Sequence, residues 1–386
     1  MDRDSVARLR GYAFCMLIVV GALLSVGIVF VYSASSFYAA EKLGNPQFYL
    51  KRQIIYALAG LVAFTVGARI SLDFFKRSAF LWYFIALGGI ALTFLPMATR
   101  IHGASRWITI RGLSVQPGEL LAPALILYVA SFLARKPQAI SIFSVRSVGF
   151  ATMVMSGLLL LLKQPDFGGA FTLGCAVFAL LSVAELSLAH IAWMTAIFTP
   201  LVAALIIMKP YRLARILAFL HPWGDPRGKG FQLIQSLIAV GSGGLWGRGI
   251  SLSRQKYFYL PMQHTDFIFP IIAEETGFVG STLLVVLFML FLFFGFKILQ
   301  LLEDRFSFYI VLGGVALISM RAAINLMVAT GLLPTKGLGL PFVSYGGTAL
   351  VANLFMVGLI INSVRTQKMM AWLVFLTFAQ NYRLLG

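Results

Sequence analysis

A small set of carboxylates lies inside or beside apolar segments of the chain, where an ionised side chain is costly and usually serves a function. If these residues do chemistry, a carboxylate is the expected general base, and a divalent cation is the expected helper for phosphate oxygens. Up to eight Lys and Arg residues lie near them in the sequence. The carboxylates are Glu119, Asp166, Asp266, Glu274 and Glu275.

The same groups allow a structural interpretation, in which acids and bases pair between helices. Arg321 lies inside a later apolar segment, and Glu119 or Glu274 would be a suitable partner for it. Glu185 and His190 lie where two apolar segments meet, and we expect them to be ordinary loop residues.

Several common types of site have no match in the sequence. The four histidines, His102, His190, His221 and His264, do not have the spacing of metal ligands. No phosphate-cradling Walker loop, dinucleotide fingerprint or Ser-His-Asp order occurs, which argues against an ATP-driven pump. Both cysteines lie in apolar stretches, so no external disulfide is expected.

The composition is that of a membrane protein. Of the 386 residues, 60% are hydrophobic and 11% charged, against about 45–50% and about 25% in soluble domains. The 31 basic and 13 acidic residues give a net charge of +18. In a membrane protein this excess favours anionic head groups and phosphates over nucleic acid.

The apolar segments predict an all-α integral membrane protein with ten spans, since a bilayer core needs about 20 apolar residues per helix. Nothing repeats and no linker divides the chain, so residues 1–386 are expected to form one membrane domain. The predicted spans are 11–32, 53–70, 79–98, 113–134, 147–163, 167–184, 187–208, 271–296, 306–330 and 343–364.

Loop charge predicts that both termini are cytoplasmic. With that orientation the inner segments hold 14 Lys and Arg residues, and the outer ones hold 8 when the long stretch 209–266 is left out. That outer stretch contains a short apolar segment, 231–240, expected to lie in the interface or re-enter. The glycine-rich run 241–249 is either a sharp turn or a place where backbone approaches a ligand. The tail 365–386 includes 371–378, expected to be an interfacial helix or a packed segment.

Two outer stretches carry a resemblance to a known family. One is YFYLPMQHTDFIF at 257–269, followed by EETGF at 274–278; the other is Asn325, then GLLPTKGL at 331–338 and FVSYGGTA at 342–349. Together with GASRWI at 103–108, QPGE at 116–119 and QPDFG at 164–168, they resemble the SEDS family of bacterial envelope proteins (shape, elongation, division and sporulation). PTKG at 334–337, GFQ at 230–232 and SRQK at 253–256 are more similar to its division (FtsW-like) branch than to its elongation branch.

The resemblance implies a peptidoglycan glycosyltransferase, which polymerises lipid II at the outer face of the cytoplasmic membrane and releases undecaprenyl diphosphate. It also implies a single-span class B penicillin-binding protein and other division proteins as partners, and a location at the septum. An elongation polymerase, a lipid II flippase and a division scaffold are the alternatives. A flippase needs polar groups along a path to the inner face, where the sequence offers Glu185 and His190.

Within this resemblance, Asp266 is the expected general base for the acceptor 4-hydroxyl, in a direct displacement that inverts the donor. A divalent cation, Mg²⁺ or Mn²⁺, is expected to help, with Asp266 as a candidate ligand. Glu119, Asp166 and Glu275 are expected to support the site, and Ser344 is expected mainly to shape a turn. The candidate substrate- and diphosphate-binding residues are Lys336, Arg254, Lys256, Arg248, Arg106, His264 and Ser344.

Three positions depart from the family pattern. Met262 stands where many members have Glu, which weakens any mechanism that needs two acids in this loop. Ala122 stands where many have Lys, and Arg321 where Gln is usual. The changes at Ala122 and Arg321 would compensate each other if a positive charge has moved from the helix of residue 122 to the helix of residue 321.

Overall fold

A computed structural model describes residues 3–95, 99–101, 104–110, 113–135, 145–184, 210–257 and 259–383, with scattered positions between 192 and 208. The chain is predominantly helical over these residues. The helices are α1 Arg3–Leu43, α2 Phe48–Arg69, α3 Leu72–Leu92, α4 Pro117–Arg135, α5 Val145–Lys163, α6 Phe167–Ser182, α7 Pro210–Leu220, α8 Phe231–Ser242, α9 Ile268–Leu299, α10 Arg305–Ala329 and α11 Gly347–Arg383. The strands are β1 Thr99–Ile101, β2 Ala104–Ile110 and β3 Leu113–Val115.

The helices confirm the predicted membrane architecture. In the described part of the chain, α1 to α4, α9, α10 and the first part of α11 are long and apolar enough to cross a membrane. Shorter apolar segments in α5 and α6 coincide with the fifth and sixth predicted spans. The seventh predicted span, 187–208, lies almost wholly outside the described residues, as do Glu185 and His190. Nothing in these helices tests which side the termini face, so that orientation stays a prediction.

Helix α10 lies at the centre of the bundle and contacts α4, α6, α9 and α11. Around it, α11 packs along α2, α1 along α9, and α3 against α4. One cluster of buried apolar side chains extends from Leu9 in α1 to Val364 in α11. This packing holds the ends of α4, α6, α9 and α10 together on the predicted outer side.

A small antiparallel sheet between α3 and α4 was not predicted. β2 pairs with β1 on one side and with β3 on the other, where Ile108 faces Val115. Predicted spans 79–98 and 113–134 therefore extend too far: α3 ends at Leu92, and 113–115 form a strand rather than the start of a helix. Hydropathy could not mark this boundary, because a short strand and a helix end look equally apolar.

Helix α9 is broken near its start by Gly277, whose φ of 68° and ψ of −164° are far from helical. The glycine-rich run beside it supplies the hydrogen bonds that the break would leave unmade, as backbone at membrane depth requires. The sharp-turn interpretation of 241–249 is thus supported, and its backbone approaches α9. The bonds are Arg248 N to Glu274 O (3.0 Å), Gly249 N to Glu275 O (3.0 Å), Phe278 N to Gly244 O (2.8 Å) and Val279 N to Leu245 O (3.2 Å).

Two short apolar segments take a helical form. The segment 231–240 lies in the 12-residue helix α8, which packs against α9 and α10 and is too short to span. The segment 371–378 is no separate helix, because α11 continues without interruption from Gly347 to Arg383. The predicted tail is therefore largely an extension of the last helix.

Candidate active site

Asp266 lies in the loop that leads into α9, two residues before the helix begins. Its backbone is held from α10: the Asn325 amide Nδ2 donates to the Asp266 carbonyl at 2.8 Å and to the Leu338 carbonyl at 2.6 Å. One buried side chain therefore ties the Asp266 loop to the loop 331–346. Gly337 of that second loop lies close to the acid, since a Cβ built there would be 3.4 Å from Asp266 Oδ2.

Ser344 makes a second connection between the two loops. Its hydroxyl donates to the Thr265 carbonyl at 2.5 Å and accepts from the Leu340 amide at 2.7 Å, while Tyr345 N donates to the His264 carbonyl at 2.9 Å. The hydroxyl is engaged both as donor and as acceptor. This supports its expected role in shaping the turn and leaves it badly placed to bind substrate.

The surroundings of Asp266 bring its pKa close to neutrality. The residue keeps part of its surface exposed, yet protein atoms around the carboxyl exclude enough water to raise its pKa to about 6. The positive charges of Arg106 and Arg215 oppose the increase, and the negative charge of Asp166 adds to it. A carboxylate with such a pKa is mostly ionised at neutral pH and is a better proton acceptor than an ordinary aspartate.

Arg106 on β2 holds the turn that precedes α6. Its Nε donates to the Gln164 carbonyl at 2.9 Å, and its Nη2 donates to the Pro165 carbonyl. The next residue, Asp166, caps α6 by accepting from Gly169 N at 3.1 Å. Burial raises the pKa of Asp166, and the charge of Arg106 lowers it in part. The small sheet thus carries a guanidinium whose charge acts on both Asp166 and Asp266.

Glu119 in α4 forms an ion pair with Arg321 in α10, with 2.7 Å between Oε2 and Nη1. This confirms the predicted pairing of Arg321 with an acid of a neighbouring helix. Ala122 lies one helical turn after Glu119, so Arg321 brings its charge to the region where a lysine at 122 would bring one. Glu119 and Arg321 also act on Asp166, since the first raises its pKa and the second lowers it.

Arg215 is a site residue that the sequence did not single out among the bases of the long outer stretch 209–266. It lies on α7, where its Nη1 donates to the Thr335 carbonyl at 3.5 Å and its charge reaches Asp266. The spacing of Arg212 and Arg215 on one helix face was the available signal. Arg212 packs its guanidinium over the Phe167 ring at 4.8 Å from the centroid.

Lys336 lies against α6. Its ammonium is 4.1 Å from the centroid of the Phe171 ring and 5.4 Å from that of Phe167. Burial lowers the pKa of Lys336, although the nearby Cys175 raises it. The aromatic faces of α6 thus hold the cation of Lys336, which belongs to the loop that approaches Asp266.

Two of the predicted diphosphate-binding bases are paired with acids of α9. Lys256 is 3% exposed, and its Nζ bonds the Ser251 carbonyl and lies 3.5 Å from Glu275 Oε1. Arg248 Nη1 lies 3.4 Å from Glu274 Oε1. These two ion pairs could not be predicted from the spacing of the residues in the sequence, because they form where the chain packs against the break in α9.

Glu275 supports a loop rather than Asp266 directly. Both of its carboxylate oxygens accept from the Ser33 hydroxyl at 2.7 Å, and Ser253 N donates to it at 3.4 Å. Glu274 accepts from Ser253 Oγ (2.5 Å) and from the backbone N–H of Arg254 (3.1 Å). The segment 248–256 therefore wraps around these two acids and is held by hydrogen bonds to them. The Arg254 side chain remains exposed.

His264 is surrounded by aromatic rings. The centroid of its ring lies 4.3 Å from that of Tyr49, 5.8 Å from Tyr345 and 5.9 Å from Tyr38. Burial lowers the pKa of His264 to about 4, so the imidazole is neutral at physiological pH. A neutral ring offers a diphosphate no positive charge, and the substrate-binding role of His264 stays a prediction.

The expected divalent cation has no obvious protein cage. Among the described residues, no three His, Cys, Asp or Glu side chains are close enough together to hold a metal ion. The described residues therefore supply no three-ligand cage of their own, and the reaction proposed for Asp266 does not depend on a cation. The cation stays a prediction.

The fold and the site define a multi-pass membrane protein in which a carboxylate of nearly neutral pKa lies among guanidinium groups where several helices end. Residues 13–369 match the family described as cell cycle protein, which groups FtsW, RodA and SpoVE. The chain belongs to this family, which is the SEDS family.

Individual relatives extend along almost the whole chain. A probable peptidoglycan glycosyltransferase FtsW of Trichlorobacter lovleyi is 41% identical over 356 residues, 92% of this chain and 93% of the relative. A solved chain from a peptidoglycan synthase complex with coordinated polymerization and crosslinking has a TM-score of 0.74 and 31% identity, covering 91% of this chain and 97% of its own. The rod shape determining protein RodA of Thermus thermophilus has a TM-score of 0.66 and 27% identity, covering 91% and 96%.

Proposed function

We propose that this protein is a peptidoglycan glycosyltransferase that polymerises lipid II into β-1,4 glycan strands at the outer face of the cytoplasmic membrane, for the septal wall of dividing cells. The observation that carries the proposal is Asp266, a carboxyl of pKa about 6 at the entry to α9 on which the charges of Arg106 and Arg215 act. The similarity to a relative named as a probable peptidoglycan glycosyltransferase FtsW supports the substrate and the division branch.

In the proposed reaction, Asp266 accepts the proton of the 4-hydroxyl of the acceptor N-acetylglucosamine. That oxygen attacks the anomeric carbon of the donor sugar, while the bond from this carbon to the undecaprenyl diphosphate oxygen breaks. A single displacement inverts the α-linked donor to a β linkage, so no second nucleophilic carboxylate is needed. This mechanism agrees with the absence of an acid at position 262, where Met262 stands two residues before His264.

Positive groups near Asp266 are proposed to stabilise the charge of the departing diphosphate. Arg106 and Arg215 are the strongest candidates, because the charges of both reach the Asp266 carboxyl. Lys336 lies in the loop 331–346 and packs against α6, and the Arg254 side chain is exposed in the segment that precedes the Asp266 loop. Lys256 and Arg248 are left out because Glu275 and Glu274 already balance their charges.

A class B penicillin-binding protein is the proposed partner, which would cross-link the strand that this protein makes. The match to a chain of a peptidoglycan synthase complex supports an assembly of that kind. Septal location and contacts with other division proteins rest on the similarity to the division branch.

The decisive experiment compares polymerisation of labelled lipid II by the wild type and by Asp266→Asn, each with the partner, with and without Mg²⁺ or Mn²⁺. We expect polymer from the wild type and at least about a hundredfold less from the variant, since removing a general base costs about that much or more. Asp73→Asn is the matched control, because Asp73 is exposed at the start of α3, at the predicted cytoplasmic end.

Equal rates from wild type and Asp266→Asn would remove Asp266 from the chemistry. If neither protein made polymer although both bound lipid II, a flippase or a scaffold would become the better explanation.

A further inference from the structure

Four aromatic side chains from four separate parts of the chain meet beside the Asp266 loop. Tyr38 lies near the end of α1, Tyr49 at the beginning of α2, His264 in the loop before α9, and Tyr345 just before α11. The Tyr49 ring is 5.0 Å from Tyr345 at 86° and 4.3 Å from His264 at 42°. Tyr49 and Tyr345 thus form two walls set nearly at right angles, and the other ring pairs are tilted by 37° to 59°.

This aromatic cluster lies at the edge of the core, against which Tyr49 and Tyr345 pack, and it is half-exposed. Tyr38, Tyr49, His264 and Tyr345 all keep an intermediate share of their surface accessible. A half-exposed group of tyrosines offers ring faces and hydroxyl groups together, which suits a ligand with both apolar and polar surfaces.

The cluster is joined rigidly to the catalytic loop. Tyr345 N donates to the His264 carbonyl, and Ser344 Oγ donates to the carbonyl of the next residue, Thr265. Asp266 follows Thr265 directly, so its Cα lies at most about 7 Å from that of His264. A pyranose ring is about 5 Å across, so a ligand on the rings would have its neighbouring unit near the carboxylate.

The polar atoms of the cluster are suited to a neutral ligand. His264 Nδ1 is buried and has no hydrogen-bond partner in the structure, and the ring carries no charge at neutral pH. Arg52 lies within hydrogen-bonding reach of the Tyr345 hydroxyl and packs over Phe48 at 4.2 Å. A diphosphate would favour several cations here, and an acyl chain would leave the imidazole nitrogen without a partner.

We propose that Tyr38, Tyr49, His264 and Tyr345 form a carbohydrate subsite that binds an N-acetylated sugar of the glycan next to the reacting unit. One face of a pyranose carries C–H groups that stack on aromatic rings, and its hydroxyl and N-acetyl groups bond polar atoms at the rim. The inference rests on the proposed glycosyltransferase function and adds a positioning role for the aromatic cluster.

The first test is kinetic and uses the full chain with its partner protein. Tyr49→Leu removes a ring wall, so we expect KM for lipid II to rise about fivefold or more with kcat nearly unchanged. Tyr49→Phe keeps the ring and should stay within about twofold of wild type. Tyr32→Leu, an exposed tyrosine of α1 away from the cluster, is the matched control.

The second test measures sugar binding without lipid or diphosphate. A soluble tetramer of N-acetylglucosamine is added to detergent-solubilised Asp266→Asn, and saturation-transfer NMR reports contact between its ring protons and the protein. We expect transfer to Asp266→Asn and its loss when Tyr49→Leu is added. Thermal unfolding of each variant checks folding, and Tyr38→Leu takes the place of Tyr49→Leu if the latter does not fold.

Unchanged KM and unchanged sugar transfer in folded Tyr49→Leu would overturn the subsite and leave the rings a packing role. Failure of the wild type to make polymer would count against the proposed function instead. The tetramer experiment still decides the subsite in that case, because it does not depend on turnover.

Discussion

At the residue scale, Asp266 depends on a balance between the removal of water and the charges around it. Desolvation alone would raise its pKa further, and Arg106 and Arg215 counter that effect. The balance leaves the carboxylate ionised at neutral pH and still basic enough to accept a proton from a sugar hydroxyl. Asn325 and Ser344 fix the backbone around it, so the carboxyl is positioned before substrate arrives.

This balance predicts a pH profile. Asp266 has to be unprotonated to act, so kcat/KM should fall below an inflection near pH 6 and level off above it. Initial rates of lipid II polymerisation from pH 4.5 to 8 would measure the curve. A flat profile across pH 6 would separate Asp266 from the rate-limiting chemistry.

Arg215→Gln tests the cause of the inflection. Removing this positive charge should move the inflection to higher pH, because the guanidinium no longer stabilises the ionised carboxylate of Asp266. The rate should also fall. Arg227→Gln, an exposed arginine of the same long outer stretch, should leave the inflection in place. Identical shifts of the inflection in both variants would mean that the net charge of the protein, rather than Arg215 in particular, sets the pKa of Asp266.

At the element scale, the break in α9 and the loop that covers it form one unit. Gly277 interrupts the helix, the backbone of 244–249 bonds the exposed groups, and Glu274 and Glu275 hold the segment 248–256. The Asp266 loop follows this segment in the chain. Its position therefore depends on a glycine and two acids that do not touch substrate in the proposed mechanism.

Gly277→Ala should destabilise this unit. The residue has a φ of 68°, and an added Cβ would lie 2.6 Å from the Leu245 carbonyl oxygen. We expect a loss of about 1–3 kcal/mol, seen as a lower thermal midpoint in detergent. Gly241→Ala is the control, since no atom lies within 4 Å of its added Cβ; equal midpoints for the two variants would contradict this account.

At the scale of the whole molecule, α10 connects the parts of the site. Through Arg321 it pairs with Glu119 of α4, 202 residues away in the chain, and through Asn325 it holds the Asp266 loop. Because α10 also contacts α6, α9 and α11, the site is an outcome of bundle packing. A substitution in α10 should therefore alter the geometry of the site at the predicted outer surface.

Arg321→Gln tests the proposed transfer of charge between helices. Leaving Glu119 unpaired should lower stability by about 3 kcal/mol and reduce polymerisation, since a poorly exposed charge loses its partner. Adding Ala122→Lys should restore much of both, because a lysine one turn from Glu119 returns the charge. Full stability and activity of Arg321→Gln alone would argue against compensation.

The sequence by itself determined the membrane architecture and the loop that carries the acid. Nine of the ten predicted spans coincide with described helices, because a long apolar run in lipid has to bond its own backbone. The motif at 257–269 and the carboxylates at 119 and 166 were also recognisable, since an acid at a span end is costly wherever it stands.

Only the tertiary structure decided which charges meet. The sequence favours Arg248 and Lys256 over Arg215 as binding residues, yet the first two are paired with Glu274 and Glu275 while the third acts on Asp266. His264 looked like a polar ligand and lies instead among tyrosines. Electrostatic effects depend on distance and on exclusion of water, and both are set by packing between segments far apart in the chain.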